Sequence, residues 1–361
     1  MKRATGTGLD LLSIQVRTLP QSPQCRIWKF DGAGVLCFDN YDQGLAMNFR
    51  LLFTRMLAIF GLVLACGGHA FAEPLRIAGS VCTAQPAEPG EAVEPQSGRK
   101  FYLEFPCDLQ PGEKVNFILS MHGAGGTGAR MRNYFPTGDY LQRYRLVVAT
   151  PTSATTSRIW NGEADDVILQ RIVDLVFENF GKANIKTFWL AGHSQGGITA
   201  TRLVCTPFFA NKADGLLSMS GGRIGKVEYV PDFFGPRPPG VTKWPPGAPD
   251  PGAKPSVEPT PSCDFSFIFT TGEKEITGLP ETSPLAQKFA CGARVRKADI
   301  VDTQPKAGTS EVFEYSKCGG GRLVADMFRR GKSHGDGILV NETEALLRMM
   351  LSAPSGKVQA K

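Results

Sequence analysis

Histidine is scarce here: four occur in 361 residues, and no Cys-x-x-Cys pair accompanies them. That shortage excludes a Cys/His zinc site, and no metal is expected. Charge of one sign is also scarce. Forty Lys and Arg against 34 Asp and Glu leave a net +6, without the dense basic stripe of a nucleic-acid binder. No apolar run reaches the length that spans a bilayer. Internal repeats and long charge blocks are absent too. What remains, 42% hydrophobic and 20% charged residues, is the balance of a globular protein of one large domain or two ordinary ones.

The first positive signal is an address. Residues 47–72 carry Arg50 and Arg55, then the short apolar run Met56 to Ala65, then the small-x-small site Ala70-Phe71-Ala72. That order is a secretory signal peptide. Translation is therefore expected to start at Met47, with residues 1–46 an upstream artefact and 73–361 a single mature domain, secreted or periplasmic. Lipidation at Cys66 is the weaker alternative and would be the only membrane attachment. Six cysteines follow the cleavage site: Cys82, Cys107, Cys205, Cys263, Cys291 and Cys318. An even number in an exported chain reads as a disulfide set. Connectivity stays open, the favoured set being 82–107, 205–263 and 291–318.

Strand and helix patterns alternate after that. Arg99 to Pro106 is expected as a strand at the sheet edge. Lys114–Met121, Leu146–Thr150, Lys186–Ala191, Leu216–Met219, Phe265–Thr271 and Leu323–Phe328 read as buried parallel strands. Helices are expected over Asp165–Phe180, after Ser194 through Val204, and over Glu342–Leu351. Asp165 and Asp166 are assigned to capping the first of these. The order implies an α/β fold, a mostly parallel sheet covered by helices on both faces. One stretch interrupts it: residues 222–262 hold eleven prolines and can be neither a central strand nor a regular helix. Phe233, Phe234 and Trp244 within it would line a cleft if this excursion caps a site.

Gly192-His193-Ser194-Gln195-Gly196 matches G-x-S-x-G between a strand and a helix, the turn that exposes a nucleophilic Ser194. His122-Gly123-Ala124-Gly125-Gly126 ends another buried strand. Its bend lets backbone N–H groups face a developing oxyanion, so the donors are expected at Gln195 and at Ala124 or Gly123. The loop lacks the Lys-Ser/Thr ending of a phosphate-binding P-loop. Of the three histidines after the signal, only His334 follows the last strand, and it is the expected base. The acid should follow the strand ending at Thr271. Glu275 is favoured over Glu273, with Asp302 behind both. His122 and His193 are candidates to line the site. Trp160 packs either on substrate or, more in keeping with large aromatics, in the core.

Together, the LSMHGAGGTG loop, Trp160-Asn161 ahead of Asp165-Asp166-Val167, the AGHSQGG elbow and Cys318-Gly-Gly-Gly before His334 resemble secreted polyhydroxybutyrate depolymerase and feruloyl esterase-type hydrolases. The resemblance covers roughly Phe101 to the C-terminus. It implies an α/β-hydrolase fold, cleavage of aryl or polyester esters, no cofactor, a Ser194–Glu275–His334 set and a Cys291–Cys318 bridge. The expected partner is a small or oligomeric ester, with no nucleic acid. Two positions depart from the pattern. The acid turn ends in Glu rather than Asp, and Gly335-Asp336-Gly337 stands where a Trp-Pro-Gly is usual.

Overall fold

The computed structural model describes residues 77, 80–82, 91–225, 227–230, 260–301 and 309–358. All lie in one compact unit spanning residues 71–361. The signal segment, Cys66, Phe233, Phe234, Trp244 and Asp302 lie outside the described residues.

Among the described residues eleven strands form one sheet. In chain order they are β1 (Val81–Cys82), β2 (Ala92–Val93), β3 (Lys100–Phe105), β4 (Val115–Met121), β5 (Leu146–Pro151), β6 (Ile185–His193), β7 (Gly215–Met219), β8 (Ser266–Gly272), β9 (Arg294–Val301), β10 (Thr309–Tyr315) and β11 (Val324–Arg329). Across the sheet the order is β1-β3-β5-β4-β6-β7-β8-β11-β10-β9, with β2 beside β3. The six strands from β5 to β11 in that order pair in parallel, while β3 and β10 join antiparallel at either side. β3 is not the edge expected from sequence, because β1 and β5 flank it. The outer antiparallel pair β9 and β10 was not expected at all.

Among the described residues six α-helices accompany the sheet: α1 (Gly128–Tyr134), α2 (Leu141–Tyr144), α3 (Gly162–Phe180), α4 (Gln195–Leu203), α5 (Pro284–Lys288) and α6 (Val340–Ser352). Successive residues of a strand face opposite sides, and β4 shows the result. Phe117 and Leu119 join the core cluster that holds Ile172, Val173 and Val176 of α3 and Leu203 of α4. Ile118 joins the other, with Met131 of α1 and Leu346 and Leu347 of α6. Each such fully buried side chain contributes roughly 1.5–3 kcal/mol.

α3 begins earlier than its aspartates suggest. Asn161 is the N-cap, its side chain accepting from the Glu163 and Ala164 N–H groups. Asp165 instead is buried in the first turn and accepts from the N–H groups of Ala154 and Asn161, while Asp166 pairs with Arg202. Disulfides join Cys205 to Cys263 and Cys291 to Cys318. Cys107 is disulfide-bonded as well, and the β1–β3 register sets Cys82 opposite Phe105, two residues away. Strand order, parallel pairing and two helical layers make this the α/β-hydrolase fold.

Candidate active site

β6 runs directly into α4, and Ser194 is the single residue between them. Its backbone has φ 51° and ψ −120°, a conformation that costs a non-glycine residue on the order of 1–3 kcal/mol and persists only where its surroundings enforce it. Here they do. Ser194 N–H donates to the Met219 carbonyl of β7 at 2.8 Å. The chain also passes too close for side chains on either side. A Cβ on Gly192 would stand 2.2 Å from the Gly196 carbonyl carbon, and one on Gly196 would stand 2.3 Å from Met121 O.

Ser194 Oγ–H donates to His334 Nε2 at 2.8 Å. On the other side of the ring, His334 Nδ1–H donates to Glu275 Oε2 at 2.9 Å. Glu275 is 1% exposed, and its remaining oxygen is held as well. Oε1 accepts from Gly272 N–H at 2.6 Å and from Ser220 Oγ–H at 2.8 Å. Sequence reasoning missed Ser220. The available signal was that β7 and β8 are neighbours, so the residue just past the end of one adjoins the turn past the other. Glu273 faces outward instead, accepting from Arg330 and from Gly331 N–H, each at 2.8 Å.

The loop after β4 closes over this line. His122 is buried; its Nε2 accepts from Ser153 N–H at 3.0 Å, so the proton sits on Nδ1 and is donated to Gly123 O at 2.7 Å. Loss of water around the ring holds the His122 pKa below its ordinary value, keeping it neutral. Gly123 O also accepts from Gly126 N–H. Because a trans peptide sets its N–H opposite its carbonyl, the Ala124 N–H points the other way. Gly123 itself lies against the nucleophile, since a Cβ there would stand 3.1 Å from Ser194 Cβ. Gln195 N–H, first in α4, has no intrahelical acceptor. Neither N–H has an acceptor among the described residues.

A cavity of about 130 Å³ opens on Ser194 and His334, lined also by His122, Gly123, Ala124, Gly126, Arg130, Met131, Tyr134, His193 and Gly335. His193 stacks on Tyr134 with ring centroids 3.8 Å apart, and its Nε2–H donates to the His334 carbonyl at 3.0 Å. Desolvation first, then the neighbouring His334, Arg130 and Arg329, lowers the His193 pKa to about 3. Trp160 does not line the cavity. It is a core residue whose Nε1–H donates to His122 O at 2.7 Å and whose backbone N–H donates to Gln195 Oε1. Among the described residues, no cluster of three His, Cys, Asp or Glu could hold a metal ion.

No protein-family model matches the chain, and no curated protein matches it. Among solved structures it is similar to acetyl xylan esterase from Aspergillus awamori, at 12% identity over 69% of this chain and 94% of that one, with a TM-score of 0.40. It is similar to Thermogutta terrifontis esterase 2 at 17% identity, over 50% of this chain and 70% of that one, with a TM-score of 0.36. The S-formylglutathione hydrolase of Staphylococcus aureus is 16% identical over 37% of this chain and 57% of its own, with a TM-score of 0.31.

Proposed function

We propose that this chain is a serine carboxylic ester hydrolase working outside the cytoplasm, with Ser194 as nucleophile, His334 as base and Glu275 as orienting acid. The observation that carries the reading is the unbroken hydrogen-bonded line from Ser194 Oγ through both nitrogens of His334 to a buried carboxylate. In the reaction, Oγ attacks the ester carbonyl carbon as its proton passes to His334 Nε2. The carbonyl oxygen gains negative charge and is met by the N–H groups of Gln195 and Ala124, each such donor being worth about 3 kcal/mol in the transition state. Collapse breaks the ester bond. His334 returns its proton to the departing alcohol, and a water then repeats the sequence on the acyl-enzyme.

Glu275 fixes the tautomer of His334 and stabilises the imidazolium that forms. The cavity lies below the roughly 300–1,000 Å³ of drug-sized sites, which favours a short acyl group. The motif resemblance to polyhydroxybutyrate depolymerase and feruloyl esterase-type hydrolases supports aryl or short polyester esters. The disulfides and the signal-like segment favour a secreted or periplasmic protein, and N-terminal sequencing of exported protein beginning at Glu73 would agree. Retention of Asp31 or Phe38 would not.

The test is turnover of 4-nitrophenyl esters from acetate to octanoate, and of methyl ferulate, by the mature chain beside Ser194→Ala. The expected result is turnover that is highest for short acyl groups and lost in the variant. A folded wild type that hydrolyses no carboxylic ester, neutral or charged, would overturn the reading.

A further inference from the structure

We propose that Arg130 makes this site selective for esters that carry a carboxylate close to the scissile bond. The inference rests on the ester-hydrolase reading above. Arg130 lies in α1, where Met131 and Tyr134 turn into the core and Arg130 stays exposed on the wall of the cavity that holds Ser194.

Among the described arginines, all but Arg130, Arg158 and Arg322 lie within 4 Å of a carboxylate. Of those three, only Arg130 lines the cavity. No described residue of the lining neutralises it. The lining contains no Asp or Glu, and both oxygens of nearby Glu275 are taken by His334, Gly272 and Ser220. His122 and His193 carry no charge, since burial lowers both. Among the described residues the guanidinium therefore has no carboxylate within 4 Å, and its charge reaches the His193 ring.

A guanidinium presents parallel N–H groups that fit a carboxylate in two-point fashion, which a neutral ester cannot exploit. Two kinds of ester supply that chemistry: half-esters of dicarboxylic acids, with the anion on the acyl side, and esters of hydroxy acids, with the anion on the alcohol side. In either, the anion is bound before and during attack by Ser194, and no step of the acyl transfer changes.

Matched pairs separate the two. On the acyl side, mono-4-nitrophenyl adipate is compared with 4-nitrophenyl hexanoate; on the alcohol side, 4-acetoxybenzoate is compared with its methyl ester. The expected result is a higher kcat/KM for the anionic member of at least one pair. In Arg130→Gln that anionic-to-neutral ratio should fall about tenfold to a hundredfold, the range for a hydrogen bond to a charged group. Arg130→Lys should restore part of it, and 1 M salt should erode it in the wild type. A wild type without anionic preference in either pair, or a ratio unmoved by Arg130→Gln while neutral esters turn over normally, overturns the role of Arg130 alone. Absence of turnover by the wild type on every member of both pairs, anionic and neutral, fells the hydrolase reading, and this inference with it.

Discussion

Glu273 and Glu275 stand two residues apart on one turn and have opposite surroundings. Glu275 is buried with three donors on its two oxygens. Glu273 is exposed on Arg330, and backbone donation from Gly331 together with that guanidinium holds its pKa low. Losing the charge of Glu275 leaves His334 free to take the wrong tautomer, so Glu275→Gln should lower kcat by roughly 10³–10⁴. Glu273→Gln should stay near wild type. Steady-state kinetics on one 4-nitrophenyl ester decides, and a comparable loss in both variants would remove Glu275 from its role. Sequence pointed to this set because the chain offers so few options: one G-x-S-x-G that runs straight from a buried strand into a helix, and one histidine after the last parallel strand. Ser220 and Arg130 were invisible for the opposite reason. Neither belongs to a motif, and each acquires its neighbours only when separate elements meet.

At the scale of elements, buried strands were legible and exposed ones were not. β4, β5 and β7 are buried at every position, so apolar runs mark them. β9 and β10 pair at the border of the sheet, where Arg296, Lys297 and Asp299 face water and no apolar pattern forms. The Pro-rich excursion is tied down on both sides. Arg223, near its start, is buried on Asp326 of β11, and residues 228–230 run beside the acid turn through Val230 N–H to Glu275 O. At its far end Cys263 is bonded to Cys205 across a sequence separation of 58. A loop of that length implies a chain-entropy contribution on the order of 4 kcal/mol. Replacing both cysteines by Ala should therefore lower unfolding stability by about 2–4 kcal/mol. Denaturant titration measures it, and an unchanged midpoint would contradict a structural role for the bridge.

For the whole molecule, acid is expected to be the unfavourable direction. His193 falls from 6.5 to about 3 in the folded protein, and His122 is lowered too. As pH drops below about 6.5 the unfolded chain takes up protons that the folded chain refuses, so stability present at neutral pH is lost progressively toward pH 3. Unfolding free energies measured between pH 7 and 4 should decline, and His193→Gln should flatten the slope. An equal slope in the variant would assign the acid sensitivity to other groups. The fold as a whole was readable from alternating strands and helices; the register that aligns Ser194, Glu275 and His334 was not, since it depends on which strands become neighbours. The 205–263 disulfide has one more consequence, for cleavage of the chain. A single backbone cut anywhere between those cysteines would leave the nucleophile on one fragment and the acid and base on the other. The bridge would still hold the two together, so nicked protein would run as one band on a non-reducing gel and as two after reduction.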